Sequence, residues 1–171
     1  MKVLRWIGYG LVGLIVLVGV LIIGARFADG PVEIIAGGPF RSGEMVTGAE
    51  PDWQFIRDVD TVELQLHSPA RSRTTWIIEH DGKIYIPCGY MNTAWGKLWK
   101  KWPIEAEKNG RAILRVDGKL YERRLVRLKT GDALEAVVSA LGDKYQVPAT
   151  VAAVNNNSLW IFGLEPVSQG T

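Results

Sequence analysis

Arg71 and Arg73 stand two residues apart at the head of a β-rich run. A guanidinium offers a planar fork of donors that matches phosphate oxygens. The pair therefore reads either as an anion site or as solvated charge where a strand begins. Arg123, Arg124 and Arg127 lie on another such run, Arg123 and Arg127 pointing one way and Arg124 the other. That stripe reads as an anion site or, more plainly, as a sheet edge protected by charge. His67 and His80 lack any spaced Cys or carboxylate partner, which gives little support for a metal site. Cys88 is the single cysteine, so no disulfide forms within the chain. A free cysteine in a strand is more often a small buried apolar residue than a nucleophile. No G-x-S-x-G occurs, no Ser-His-Asp set follows from spacing, and Gly37-Gly38-Pro39 does not open a helix as a phosphate loop would.

These residues must be held by strands and helices that the patterning marks out. Thr61 to His67 alternates Val62, Leu64 and Leu66 with polar residues, the period of a strand with one buried face. Asp81-Gly82 joins Thr74–Glu79 to Lys83–Cys88, and Asp117-Gly118 joins Arg111–Val116 to Lys119–Leu128, both as hairpins. Strands are also expected near Thr150 to Val154 and over Ser158 to Glu165, with Asn155 to Asn157 as the turn between them. Asp52 is placed to cap a short turn through Trp53, Phe55 and Ile56.

Two helices interrupt the strands. Asp132 to Tyr145 aligns Leu134, Val137, Val138 and Leu141 on one face, with Thr130 or Asp132 as the cap. Thr93 to Lys101 carries Trp95, Leu98, Trp99 and Trp102 at helical spacing, with Lys97, Lys100 and Lys101 elsewhere, and is expected to stop at Pro103. Three roles fit that helix: a cover for the core, a helix lying on a membrane surface, or a wall of a ligand pocket.

The first residues form a class of their own. Trp6 to Ala25 holds no charged side chain, and about 20 apolar residues suffice for a helix to cross a hydrocarbon core. Lys2 and Arg5 precede the span, which places the N-terminus in the cytoplasm and the domain outside. The competing reading is a cleaved signal peptide, against which stand the length of the run and the poor cleavage site at Ile23 to Ala28. The chain has 20 Lys and Arg against 18 Asp and Glu, and Lys2 and Arg5 account for the difference. A neutral domain argues against a nucleic-acid partner. The expected layout is a tail over 1–5, a transmembrane helix over 6–25, a Gly/Pro-rich linker over 26–57 and one domain over 58–171.

The order of elements over residues 58 to 168 resembles the split β-barrel of the flavin- and deazaflavin-binding reductases, the superfamily that includes pyridoxamine phosphate oxidase. The resemblance is one of layout. It is carried by Ala70 to Thr75 leading into a strand, the Asp81-Gly82 hairpin, Pro87-Cys88-Gly89-Tyr90 at a strand end, the Trp95 to Pro103 helix and the closing strand Leu159 to Pro166. It implies an α+β, mainly β fold: a small split β-barrel with two covering helices, preceded by one transmembrane helix. It also implies that Arg71, Ser72, Arg73, Thr74, Lys97 and Lys100 hold a flavin phosphate, with Cys88 and Gly89 where the backbone nears the ring. The cofactor would be FMN or deazaflavin, and the activity that of a flavin- or deazaflavin-dependent oxidoreductase. The alternative is a membrane-tethered binding module without cofactor or catalysis, serving as accessory subunit of a membrane protein complex. The partners expected are the lipid bilayer and either such a complex or a second copy in a homodimer.

Overall fold

The computed structural model describes residues 2–93 and 101–167. Helix α1 runs over Lys2–Ala25 and is long and apolar enough to cross a membrane. The strands are β1 (Glu44–Met45), β2 (Thr61–His67), β3 (Ala70–Trp76), β4 (Ile78–His80), β5 (Lys83–Cys88), β6 (Arg111–Val116), β7 (Lys119–Leu128) and β8 (Trp160–Pro166). They form one sheet in the order β3-β2-β6-β7-β8-β5-β4, antiparallel throughout. Strand β1 adds to the start of β7 in parallel, where β8 does not reach.

The two end strands of that order, β3 and β4, are consecutive in the chain and separated by Ile77 alone. A sheet whose opposite edges are joined by one residue has to curl, so the strand order itself dictates a half-closed barrel. Ile77 is fully buried at the join. Inside the curl lie Leu64, Leu66, Ile84, Ile86, Leu114, Phe162 and the indole of Trp53. On the outer face, Tyr85 and Ile161 pack against Leu134, Val137, Val138 and Leu141 of α3 (Ala133–Tyr145), the face that helical spacing marks out. Both hairpins turn as their Asp-Gly pairs require: Asp81 and Gly82 have φ of 53° and 69°, and Asp117 and Gly118 of 50° and 73°. Positive φ at both central residues matches the twist of paired strands, and Asp-Gly tolerates it.

Several expectations change. Pro103 lies within a helix among the described residues. It opens α2 (Trp102–Lys108), sitting in the first turn where its missing N–H has no partner to lose. The proposed helix at Thr93–Lys101 falls largely on 94–100, outside the described residues. The strand expected near Thr150 to Val154 is instead the short helix α4 (Val151–Asn155), capped by Thr150, whose hydroxyl accepts the N–H of Ala153 at 3.1 Å. Local capping and the burial of Val154 against α3 outweigh the β preference of Val151. Asp132 occupies the N-cap of α3 without a side-chain cap bond. Asp52 does cap the 3₁₀ turn Trp53–Asp58, accepting the N–H of Gln54 at 3.0 Å. Arg123 is not on a solvated edge, because β7 lies between β6 and β8 there, and Arg127, beyond the end of β6, is covered by Trp160 and Glu107.

Helix α3 is tied back to the barrel at its last turn. The Lys144 ammonium donates to the carbonyls of Ile56 and Val59 at 2.7 Å and of Ile77 at 3.0 Å. Burial pushes the Lys144 pKa down, partly countered by Asp60 and Asp58. The ring of Tyr145 stacks on Trp76 with centroids 4.4 Å apart, and its hydroxyl accepts the N–H of Ile77 at 2.9 Å.

Residues 26–42 form a strap between α1 and the barrel. Gly37 and Ser72 exchange backbone hydrogen bonds across the free edge of β3. Arg115 of β6 secures the strap. It pairs with Glu63 on β2 and reaches the carboxylate of Asp29 at 3.1 Å and its carbonyl at 3.2 Å. Phe40 lies 4.2 Å under the guanidinium. Burial works against the Arg115 charge, but the bond and charge of Glu63, joined by Asp29, outweigh it and raise its pKa. Asp29 accepts from the Ser42 hydroxyl and from the N–H of Arg41 at 2.6 Å. Those bonds, then Arg115, bring its carboxyl from 3.8 to about 2.

Two outcomes follow. Replacing Lys144 by Met in the detergent-solubilised full chain should lower unfolding free energy by about 2 kcal/mol, the net worth of charged hydrogen bonds. Ser139→Ala on the exposed side of α3 should stay within about 0.5 kcal/mol. Asp29 has a folded pKa below its unfolded one, so its contribution is complete above pH 3.8 and fades as pH falls through about 2. Hydrogen exchange at the Arg41 and Ser42 amides, corrected for intrinsic pH dependence, should accelerate over that window. In Asp29→Asn the same amides should exchange faster than wild type at neutral pH.

Candidate functional site

Residues directly opposite in an antiparallel pair share a face of the sheet. Arg73 lies opposite Leu64 and Arg71 opposite Leu66, and both leucines are fully buried inside the barrel. Ser72 lies opposite Gln65 and Thr74 opposite Glu63, on the other face. The alternation of β3 therefore divides the Arg-Ser-Arg-Thr run, two side chains to each face.

The strap takes up most of that run's donors. The buried Ser72 hydroxyl donates to the carbonyl of Gly38 at 2.5 Å, and that of Thr74 to the carbonyl of Glu33 at 3.1 Å. Arg71 curls to the same segment, its Nε and Nη2 each 3.1 Å from the carbonyls of Gly37 and Ala36. The fit leaves no room at the glycines: a Cβ on Gly37 would lie 1.7 Å from the carbonyl oxygen of Gly30.

Arg73 is different. Its Nε is buried with no hydrogen-bond partner, and its guanidinium forms no ion pair among the described residues. It lies 5.2 Å over the ring of Trp102. Burial lowers its pKa to about 10, with Arg71 pushing the same way and Glu105 and Cys88 opposing. At neutral pH it remains a cation. Cys88, 3% exposed, ends β5 on the inward face, its sulfur 3.6 Å from that of Met91. Gly89 follows it. The structure thus brings Arg73 and Cys88 together with Trp102 and Glu105, and directs Ser72 and Thr74 away. Lys97 and Lys100 lie outside the described residues.

Two further arginines, Arg123 buried and Arg127 half-buried, line the inward face. Arg123, 3% exposed, pairs with Glu50 at 2.9 Å and lies 5.0 Å from the Trp53 ring centre. Arg127 stacks 3.4 Å over Trp160 and bonds Glu107 at 3.0 Å and Asn157 at 2.6 Å. Lys129 and then Arg127 hold the Glu107 carboxyl below its usual range. Each of these arginines also keeps a buried Nε without a partner, but each has a carboxylate to balance its charge. Their inward direction was readable from the period of two with Tyr121 and Leu125. Their burial was not, because nothing local marks β7 as central.

Open clefts lie elsewhere. One of about 410 Å³ is bounded by Val46 to Pro51, Tyr121, Arg123 and Pro166, and one of about 360 Å³ by Trp53, Tyr85, Arg127 and Gly163. Neither borders Arg73. No group of three metal-ligating side chains occurs among the described residues.

No protein-family model matches the chain, and no curated protein matches it in sequence. Solved structures do. The conserved hypothetical protein Rv2991 from Mycobacterium tuberculosis aligns over 77% of this chain and 86% of its own, at 13% identity and a TM-score of 0.47. The heme storage protein HutZ from Vibrio cholerae aligns over 72% and 93%, at 10% identity and 0.45. A putative pyridoxamine 5′-phosphate oxidase from Listeria innocua aligns over 66% and 87%, at 11% identity and 0.43. The chain is similar to these in overall layout.

Proposed function

We propose that the chain is a single-pass membrane protein whose split barrel binds an anionic, flavin-type cofactor, FMN or deazaflavin, with Arg73 engaging the phosphate. The N-terminus is cytoplasmic and the domain stands on the other side, as Lys2 and Arg5 before the span suggest. One observation carries the cofactor reading: the buried Nε of Arg73, without a partner among the described residues. A buried donor without an acceptor is costly, and a phosphate oxygen supplies what it lacks.

The residues present fit such a group in part. Arg73 has donor capacity to spare, Trp102 gives its cation an aromatic face, and the buried Cys88 side chain adds an apolar wall nearby. Ser72 and Thr74 face away, and Arg71 is spent on Ala36 and Gly37, so the donor set is smaller than the resemblance implies. A bound flavin or deazaflavin ring would supply hydride transfer, the chain supplying charge, orientation and exclusion of water.

The second reading, a non-catalytic module of a membrane protein complex, is favoured by the strap. Carbonyls of the chain's own residues 33 and 36–38 already satisfy three of the four polar side chains of β3 that the resemblance assigns to phosphate.

Near-ultraviolet and visible absorbance of the full chain, purified in mild detergent and titrated with FMN and with deazaflavin, separates the two. Cofactor binding should appear, and Arg73→Gln should weaken it roughly tenfold or more, the loss of one charge-assisted hydrogen bond. Thr74→Val should stay within about twofold, since its hydroxyl serves the strap. If the protein, separated from unbound cofactor after each incubation, carries no flavin or deazaflavin band, the redox reading is removed and the accessory module remains.

A further inference from the structure

The strap carries three exposed apolar side chains close to the end of α1: Phe27 at 69%, Val32 at 43% and Ile34 at 92% exposure. Ile34 is displayed by a closed turn. The N–H of Val32 bonds the carbonyl of Ile35 at 3.0 Å, the N–H of Ile35 returns the bond at 2.8 Å, and Glu33 takes a left-handed φ of 52°. The turn holds this isoleucine almost wholly in the open, near the exposed Phe27 and Val32 on the same short segment.

The turn cannot stray far from the helix. A Cβ on Gly38 would lie 2.5 Å from the carbonyl oxygen of Arg26 and 2.6 Å from that of Ala28, so the strap closes on the residues that leave α1. Ile34, four residues before Gly38, is within about 14 Å of that junction. Helix α1 has 24 residues, which span about 36 Å at ~1.5 Å per residue. A hydrocarbon core is about 30 Å thick, and about 40–45 Å with its headgroups. The end of a spanning α1, with Phe27 after it, therefore lies at headgroup depth, and Ile34 is within reach of the same layer. Arg26 and Arg41 are exposed on this segment, while Asp29 is engaged by Arg115 and Ser42, leaving Glu33 as its uncommitted acid. Apolar tips flanked by arginine are the composition of a segment seated at the headgroup–acyl boundary.

We propose that the Val32–Ile35 turn, with Phe27, is a second membrane contact that seats in the interface of the bilayer crossed by α1. It rests on the membrane-tethered reading above. Thr74 on β3 bonds the carbonyl of Glu33, so the contact joins the bilayer surface to the strand that carries Arg73 and sets the tilt of the barrel over the membrane.

The test uses the full chain in vesicles of phosphatidylcholine and phosphatidylglycerol. Ile34→Cys and, separately, Leu14→Cys are labelled with an environment-sensitive fluorophore and quenched by lipids spin-labelled at shallow or deep acyl positions. Native Cys88 is 3% exposed, and the wild-type chain treated alike gives the background. The residue 34 label should lose roughly half its emission to the shallow quencher, and the residue 14 label should respond to the deep one. If residue 14 is quenched and residue 34 keeps a water-like, unquenched spectrum, the second contact is overturned and the anchor stands. A blue-shifted but unquenched residue 34 means that another copy covers the turn, which also overturns the proposal. If neither label is quenched, the membrane reading falls and the contact with it.

Discussion

Arg115 is the point on which the assembly of α1, strap and barrel turns. It projects from β6 with its side chain 13% exposed, and draws Glu63 of β2 and Asp29 of the strap to one cation. Without it two carboxylates would face each other beside a half-buried phenyl ring, and the strap would lose its main electrostatic attachment. The outward face of β2 is polar for this purpose: Glu63 meets Arg115, and the buried Gln65 accepts the N–H of Phe40. The same alternation that buries Val62, Leu64 and Leu66 turns these polar residues towards the strap. A strand with one buried face normally gives its other face to water; here the chain's own N-terminal segment covers much of it.

The barrel interior holds charge as well as apolar side chains. Arg123 and Arg127 are tolerated because each meets a carboxylate and an indole, so the guanidinium keeps a counter-charge on one side and a π face on the other. Arg73 has the indole without the ion pair. That difference in environment, not its position after Arg71, is what sets it apart.

Much of this architecture is legible in the chain. The alternation from Thr61 to His67 and the two Asp-Gly turns define β2, β5, β6 and β7, because period and turn chemistry act over a few residues. Less legible is whatever depends on distant neighbours. The Val-Ala-Ala-Val of α4 looks like a strand until Thr150 is seen to cap it. Pro103 reads as a stop or a start according to which side the helix lies on, a choice made by burial of Trp102 and Ala106 in the core. The Arg-Ser-Arg-Thr run suggests one cluster of phosphate donors. Pleating sends it to two faces, and the strap that occupies Ser72, Thr74 and Arg71 comes from more than thirty residues upstream.

The separation of Asp29 and Arg115 along the chain has a consequence for how the molecule is made. The two lie 86 residues apart, and the strap's other attachments, to β2 and β3, also lie downstream of it. Synthesis runs from the N-terminus, so α1 and the strap exist before anything they bind. The strap between α1 and the barrel is therefore a loose tether for most of the chain's elongation. The joint stiffens once β6 has been delivered and has paired with β2. Rigidity between α1 and the barrel is thus acquired late, and a chain truncated before Arg115 would remain hinged where the finished protein is braced.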